Sequence, residues 1–343
     1  MNNPEVSIII PIYNVAPFIE RCVRSLFEQT FKDVEYIFID DSTPDNSVEI
    51  LEKITAQYQN KNVRIIRHDN NKGLAAARRT GIENSTGKYI LMCDSDDYIE
   101  PNMVQLLHEK ATAENADITV CDIIFEYADG RKEIRTDEVL QDCEENFYNM
   151  LVNEVTQGYL VNKLVVRSLY ENSQILVPDR LDYLEDWYVS LRLYYFAKKI
   201  AKVPEALYHY VQYNTNAITK KITRNNFLSA IYFHRTTEDF LSQHGLSQKY
   251  STLTAFLKIQ TKVRLFWGVK QSSLRHEFSS MFLEEEKSLL KKQKLPDRLL
   301  LIFSRHRATL WLTSLLRFLV VMKKFIACPF ALICPQKSYK NPQ

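Results

Sequence analysis

Three aspartates, Asp94, Asp96 and Asp97, stand within four residues directly after an apolar segment. Carboxylates this close repel one another unless a positive charge lies between them. Hard oxygen ligands favour Mg²⁺ or Mn²⁺, and a site with few protein ligands leaves coordination positions for the phosphate oxygens of a substrate. The segment therefore predicts a divalent-cation site, with a solvated turn that caps a helix starting near Pro101 as the alternative.

A second acidic pair, Glu185 and Asp186, is flanked by apolar residues. A carboxylate that is partly removed from water there could act as a general base near neutral pH. The alternative is structural, because acidic residues that open a helix are stabilised by its dipole.

Phosphate-binding loops of the common glycine-rich kinds are absent from the sequence, which contains only seven glycines. Neither G-x-x-x-x-G-K-[ST] nor G-x-G-x-x-G after the first predicted strand occurs. Phosphate would then be held by the cation and by nearby basic residues, for which Lys72, Arg78, Arg79 and Lys163 are candidates.

Four apolar segments, at residues 6–11, 34–40, 63–68 and 89–93, start 28, 29 and 26 residues apart. Stretches with helical spacing separate them, at residues 18–28, 47–59 and 74–84. This rhythm predicts an α/β fold with a mostly parallel sheet and helices on both faces. Because ligands of such sheets bind at the carboxyl ends of the strands, the polar residues after each segment should share one edge.

Asp41 follows the second of these segments. Acidic residues at strand ends accept hydrogen bonds from a ribose or a base in nucleotide-binding folds. The alternative for Asp41 is a buried N-cap of the following helix.

Composition and charge restrict the function classes. With 45% hydrophobic and 25% charged residues the chain is typical of a globular enzyme. Residues 287–343 carry twelve Lys/Arg against one acid, so the remaining residues are acidic despite the overall charge of +2. An acidic body argues against binding to duplex nucleic acid. Six scattered cysteines without a C-x-x-C motif indicate the cytoplasm.

Together these residues resemble the family 2 glycosyltransferases, over about residues 4–220. The resemblance is carried by the order and separation of short motifs, which lie at residues 6–14, 25–30, 39–45, 71–78, 87–89, 94–97 and 185–186. It implies the GT-A fold, a Rossmann-like domain over residues 1–220, followed by a helical region over residues 221–343. One departure is Arg79, where family members commonly have asparagine.

The resemblance also implies roles for individual residues. Pro11, Tyr13 and Asp41 would form the nucleotide pocket, with Asp41 reading the base. Asp94 and Asp96 occupy the Asp-x-Asp positions, which contact the ribose or hold the metal on the donor diphosphate.

The remaining implied roles concern metal, phosphate and proton transfer. Asp97 would assist at the metal, and Arg78 would contact nucleotide or phosphate. Lys163 would neutralise the leaving diphosphate, with a plain surface lysine as its alternative. Asp186 matches the base that deprotonates the acceptor hydroxyl, and Glu185 is its substitute.

The activity that follows is inverting transfer of a sugar from a nucleoside-diphosphate sugar, expected to be a UDP-sugar, with Mg²⁺ or Mn²⁺. The acceptor would be a glycan or lipid-linked glycan in bacterial surface polysaccharide synthesis. A catalytically silent nucleotide-sugar-binding partner subunit is the alternative. A nucleotidyltransferase is disfavoured because its glycine-rich opening loop is missing.

The basic tail, at about residues 305–335, is amphipathic. Thr313, Arg317 and Lys324 fall on one stripe of a helix whose remaining surface is apolar. This pattern predicts peripheral attachment to an anionic membrane surface on its cytoplasmic side, with packing on the body or a membrane span as alternatives.

Overall fold

The first part of the chain alternates strands and helices. The computed structural model describes residues 3–140, 142–152, 158–173, 175, 178, 181, 183–214 and 221–327, with side chains described to residue 320. The elements that lead to the acidic segment are β1 (Val6–Ile12), α1 (Ile19–Phe27), β2 (Val34–Asp40), α2 (Ser47–Thr55), β3 (Asn62–Arg67), α3 (Leu74–Glu83) and β4 (Tyr89–Met92). They lie within a few residues of the predicted segments, so the hydrophobic periodicity located them correctly.

The four strands form one parallel group in the order β3-β2-β1-β4. Every residue of β1 and β2 is buried, as expected for central strands covered on both faces. Parallel pairing brings the carboxyl ends of β1, β2 and β4 to one edge of the sheet. The predicted site residues lie at this edge, because they come at or directly after the ends of these strands.

The rest of the sheet is mixed. It is built from β5 (Tyr98–Ile99), α4 (Met103–Glu114), β6 (Ile118–Glu126), β7 (Lys132–Arg135), α5 (Cys143–Val152), β8 (Lys163–Val166), α6 (Arg167–Asn172), α7 (Glu185–Phe196) and β9 (Ile200–Val211). The order continues β4-β8-β6-β9-β5, and β7 pairs with β6. β8 runs antiparallel to β4 and β6, whereas β6 and β9 are parallel. The prediction of a mostly parallel sheet in an α/β fold is confirmed.

A buried network fixes the opposite edge of the sheet. The Glu35 carboxylate accepts hydrogen bonds from the Ser7 hydroxyl (2.6 Å) and from the backbone and hydroxyl of Thr86 (2.6 and 2.9 Å). A Cβ at Gly87 would lie 2.6 Å from the Ser7 backbone nitrogen, so this close approach requires glycine. The network ties the starts of β1 and β2 to the turn before β4, which keeps the strands in register.

The C-terminal region is helical, as predicted. It contains α8 (Arg224–Gln243), α9 (Ser247–Gly268), α10 (Ser272–Glu277), α11 (Leu283–Leu289), α12 (Leu295–Ser304) and α13 (Leu310–Ala327). The chain divides into two compact units, and the second comprises Lys221–Phe227 and Lys258–Gln343. The first comprises Met1–Lys220 and Leu228–Leu257.

A buried ion pair lies inside the second unit. The Lys262 ammonium donates to Glu286 Oε2 at 2.6 Å, and Arg305 Nη2 donates to Glu286 Oε1 at 2.5 Å. Across the described ranges, no helix is both long and apolar enough to cross a membrane. The end of the predicted tail, residues 328–335, lies outside the described residues.

Candidate active site

The loops after β1 and β2 are joined to each other. Asn14, which adopts a left-handed conformation with φ 56°, donates its backbone N–H to Thr43 Oγ1 at 2.8 Å. Asp45 accepts the Ala16 backbone N–H at 2.8 Å. Next to these hydrogen bonds, Pro11 is buried within β1, whereas Tyr13 exposes its ring to solvent. An exposed aromatic ring at a strand end is suited to stacking on a base.

Asp41 is buried and organises the turn before α3. Its Oδ1 accepts the Lys72 backbone N–H at 2.8 Å and contacts His68 Nδ1 at 2.7 Å. Its Oδ2 accepts the Gly73 backbone N–H at 2.8 Å. Asp45, rather than Asp41, contacts the start of α2, where it accepts the Ser47 backbone N–H. Reading of a base by Asp41 stays a prediction, and it would have to use the second lone pairs of these oxygens.

Asp97 is the most buried of the three clustered aspartates. Its Oδ2 accepts the Tyr208 hydroxyl and its Oδ1 accepts the Val211 backbone N–H, both at 2.7 Å. Burial, together with the charges of Asp96 and Asp94, raises the pKa of Asp97 well above its usual range. Both oxygens therefore bind groups of β9, which is a structural role. The metal-assisting role inferred from the resemblance stays a prediction.

Asp94 and Asp96 lie nearer the surface and keep oxygens that the described side chains do not saturate. Asp94 Oδ1 accepts from Arg78 Nη2 at 2.9 Å, and Asp96 Oδ2 accepts from Asn214 Nδ2 at 2.7 Å. Burial and the charge of Asp94 raise the pKa of Asp96. A cation at this position would relieve that repulsion.

The donor set fits a magnesium or manganese ion that is held largely by its substrate. In the described part of the chain, no three His, Cys, Asp or Glu side chains come together as a metal-binding group. Two carboxylates, from Asp94 and Asp96, supply the hard oxygen ligands that Mg²⁺ and Mn²⁺ prefer. Such a site would leave most coordination positions for diphosphate oxygens and water, and it stays a prediction.

Arg78 joins the acidic turn to the second acidic pair. It projects from α3, is completely buried, and its Nη1 donates to Asp186 and, at 3.2 Å, to Glu185 Oε1. Burial lowers its pKa, but Asp186, Asp94 and Glu185 outweigh that effect and raise it well above the usual value. Arg78 was expected to contact nucleotide or phosphate. The structure instead places it between carboxylates that are 16 and 108 residues away in sequence.

Glu185 and Asp186 open α7, as the helical alternative predicted, and they also face the cluster. Leu184 before them adopts a left-handed conformation with φ 69°, which turns the chain into the helix. Burial and the neighbouring Asp186 charge raise the pKa of Glu185 to about 7. Burial likewise raises the pKa of Asp186, although the Arg78 charge lowers it. A carboxylate pair of this kind can accept a proton near neutral pH.

The sequence comparisons identify the family. Residues 7–173 match the family described as Glycosyl transferase family 2. The putative glycosyltransferase EpsH of Bacillus subtilis (strain 168) is 30% identical over 287 residues, which cover 82% of each chain. The chain belongs to glycosyltransferase family 2. The enzyme class predicted from the sequence is therefore confirmed.

Two further relatives add to this comparison. The poly(ribitol-phosphate) beta-glucosyltransferase of Bacillus spizizenii is 32% identical over 209 residues, 60% of this chain and 32% of that protein. The crystal structure of S. aureus TarS 1–349 in complex with UDP-GlcNAc superposes with a TM-score of 0.59 at 17% identity, covering 85% of this chain and 93% of that one. This likeness supports the predicted GT-A fold.

In this glycosyltransferase, Lys163 is paired with the buried carboxylate of Asp137. Its ammonium is fully buried and donates to Asp137 Oδ2 at 2.8 Å and Asn162 Oδ1 at 2.9 Å. Separating the two charges of a buried pair is costly, because each would be left in the interior without its partner. Lys163 is therefore not a plain surface lysine. The expected contact between its ammonium and the leaving diphosphate stays a prediction.

Two residues of the glycosyltransferase site were missed by the sequence analysis. The Tyr208 hydroxyl accepts the Asp94 backbone N–H at 3.1 Å while it donates to Asp97. Asn214 holds Asp96. Tyr208 lies in a tyrosine-rich strand that reads as ordinary packing, and Asn214 follows a strand end without a motif. Tyr208 lies within β9 and Asn214 shortly after it. Their closeness in sequence to this strand, which lies beside the acidic turn, is the signal that could have found them.

Proposed function

We propose that this chain is a metal-dependent, inverting glycosyltransferase that uses a nucleoside-diphosphate sugar. The observation that carries the proposal is the shared guanidinium. Arg78 bonds both to Asp94 of the Asp-x-Asp segment and to the Glu185–Asp186 pair. The carboxylate to which we assign the metal and those to which we assign the proton thus contact the same guanidinium. This closeness supports a single displacement at a sugar carbon, which needs both groups near the reacting atoms. We assign this catalytic domain to residues 1–220.

Transfer would proceed by in-line attack. Asp186, or Glu185 in its place, accepts the proton of the acceptor hydroxyl as that oxygen bonds to the anomeric carbon. The bond from this carbon to the diphosphate oxygen breaks on the opposite side, so the configuration at the carbon is inverted. A bound Mg²⁺ or Mn²⁺ supplies charge neutralisation at the leaving diphosphate. Asp94 and Asp96 would hold the metal.

The donor is proposed to be a UDP-sugar that binds across the ends of β1 and β2. Tyr13 offers an exposed ring for the base, Pro11 shapes the pocket, and Asp41 fixes the turn beneath it. The TarS complex contains UDP-GlcNAc in the same fold, which supports this choice of nucleotide.

The acceptor is proposed to be a glycan or lipid-linked glycan of a bacterial surface polysaccharide. The relative named for glucosylating poly(ribitol-phosphate) supports a polymeric acceptor. The basic C-terminal segment supports work at the cytoplasmic face of the cell membrane, to which the enzyme would attach peripherally.

Donor binding and turnover test the proposal separately. Thermal stabilisation by UDP-, GDP- and dTDP-sugars, each with and without Mn²⁺, would reveal the donor, because a ligand of the native state raises the melting temperature. Asp96→Asn should abolish the Mn²⁺-dependent stabilisation. Asp186→Asn should retain it and lower turnover by about a hundredfold to ten-thousandfold.

Asp129→Asn, at an exposed position, is the matched control and should change neither property. Equal loss of donor binding in Asp96→Asn and Asp186→Asn would contradict the separation of roles. Donor binding without hydrolysis or transfer by the unmodified chain would favour the silent partner subunit.

A further inference from the structure

Two polar residues of α13, Thr313 and Arg317, contact other elements of the second unit. Thr313 is fully buried, and its hydroxyl accepts a hydrogen bond from Arg275 Nη1 at 2.8 Å. Arg317, one helical turn further on, donates to the Val269 backbone carbonyl. The polar stripe of the helix for which the sequence predicts membrane attachment is therefore used for packing within the second unit at these two positions. The predicted third member, Lys324, has no described side chain.

The apolar side of the same helix is exposed. Trp311, Leu315, Phe318 and Leu319 leave 44–64% of their surface accessible, and their spacing places them on one face. We call these four residues the outward face. The usual arrangement in a soluble protein is the reverse, with the apolar stripe against the core. α12, which packs on α13, adds exposed Leu295 and Ile302.

Contiguous exposed apolar surface of this kind marks a binding surface. Its composition suits a lipid interface, where tryptophan and phenylalanine lie at the level of the head groups. The described residues of the second unit leave these side chains accessible to solvent.

The charge of the segments before and after α13 indicates which partner fits. Residues 287–343 contain twelve Lys/Arg and a single acid, Asp297. Lys291, Lys292, Lys294 and Arg307 are exposed in the segments that lead to α13. This charge is complementary to anionic lipid and would repel a second copy of the same segment.

We propose that the outward face of α13 inserts into the head-group layer of an anionic bilayer, while Thr313 and Arg317 point back into the second unit. The inference rests on the proposed membrane location and specifies its contact surface. The helix lies in the plane of the interface, the apolar residues provide the depth of insertion, and the exposed lysines provide the preference for anionic lipid.

Vesicle sedimentation of the full chain tests the proposal. The chain should bind vesicles with about 30% phosphatidylglycerol more tightly than pure phosphatidylcholine vesicles, and binding should weaken as salt rises from about 0.1 M to about 0.5 M. Trp311→Ser/Phe318→Ser should lower the partition coefficient at least about tenfold.

The control is Ile134→Ser/Tyr148→Ser, which removes two exposed apolar side chains of the first unit and should leave binding unchanged. Equal sedimentation of both double variants and the unmodified chain would overturn the proposal. A second outcome would also overturn it: the unmodified chain does not bind vesicles and forms a dimer that Trp311→Ser/Phe318→Ser dissociates. The outward face would then be an interface between copies.

A second measurement does not depend on a disruptive variant. Phosphatidylglycerol with brominated acyl chains should quench tryptophan fluorescence of the unmodified chain on binding. Trp311→Phe should still sediment with vesicles but lose most of that quenching. Unchanged quenching in Trp311→Phe would place another tryptophan at the lipid and contradict the assigned face.

The donor experiment separates the two proposals. Thermal stabilisation by the nucleotide sugar is measured in solution on the same variants, and Trp311→Ser/Phe318→Ser should retain it. Absence of vesicle binding by the unmodified chain, with donor binding retained, refutes only the membrane surface. Lipid binding without any donor response refutes only the proposed reaction.

Discussion

Arg78 in the first unit and Arg275 in the second are both completely buried, but they meet different partners. Arg78 donates to three carboxylates, whereas Arg275 donates to two backbone carbonyls and one threonine hydroxyl. The pKa of Arg78 is raised well above its usual value, while burial and the charge of Arg317 lower the pKa of Arg275 to about 10.

The charge of the acceptors distinguishes an arginine in a binding site from an arginine that only holds packed elements together. One guanidinium among three carboxylates leaves an excess of negative charge, which a metal ion can neutralise. A guanidinium surrounded by neutral acceptors satisfies local hydrogen bonds and joins α13 to the segment after α9. Burial of an arginine is therefore uninformative by itself; the charge of its acceptors tells the two cases apart.

The largest expected effect is on the free energy of unfolding when each arginine is replaced by methionine. The loss should depend on pH for Arg78 and not for Arg275. Arg78→Met leaves buried carboxylates uncompensated and should cost about 3–5 kcal/mol of unfolding free energy near pH 8. Near pH 5 the cost should be smaller, because carboxylates with raised folded-state pKa values, led by Glu185 at about 7, then hold protons. Urea unfolding at the two pH values measures both.

Arg275→Met should be destabilised equally at both pH values. The variant loses hydrogen bonds to neutral acceptors, and each acceptor left unpaired should lower the free energy of unfolding by about 1–3 kcal/mol. None of these acceptors titrates between pH 5 and pH 8. Arg79→Met, one residue along α3 and partly exposed, is the matched control for position 78. A pH-dependent loss in Arg275→Met, or a pH-independent loss in Arg78→Met, would remove the distinction.

The strand ends could be predicted from sequence, while the connection between them could not. Continuous apolar segments fixed β1, β2 and β4, and parallel pairing placed Asp41 and Asp94 at one edge. Nothing in the sequence links Arg78 to Asp186, since they are 108 residues apart and only the packing of α3 near α7 brings them together. The same limit applies to Lys163, whose buried partner Asp137 follows no motif.

The C-terminal helix shows a second limit. Periodicity correctly divided α13 into a polar stripe and an apolar face. It does not tell which side faces the body, because that choice depends on the acceptors of neighbouring elements. Arg275 offers a buried donor to Thr313, so the polar stripe turns inward.

The next prediction concerns pH and activity and has an intermediate effect. If the pair at the start of α7 accepts the acceptor proton, turnover should fall as the pH drops below about 7, where Glu185 becomes protonated. Glu185→Gln removes this titrating group and should move the acid limb of the rate profile to lower pH, since Asp186 then lacks its charged neighbour. A pH–rate profile at saturating donor measures the shift, and an acid limb unchanged by Glu185→Gln would assign it to another residue.

The smallest expected effect tests whether the acidic turn is held by its hydroxyl bridge. Tyr208→Phe leaves the Asp94 backbone N–H and Asp97 Oδ2 without this partner, which should cost about 1–2 kcal/mol in urea unfolding. Tyr194→Phe is the matched control, because the buried Tyr194 hydroxyl has no hydrogen-bond partner among the described residues and its removal should be neutral or stabilising. Donor affinity should weaken in Tyr208→Phe only, since Asp94 loses its backbone anchor while Asp97 keeps the Val211 N–H. Equal stability of the two variants would mean that the turn is fixed by Arg78 and the backbone alone, and the charge cluster would then suffice to position the metal-binding carboxylates.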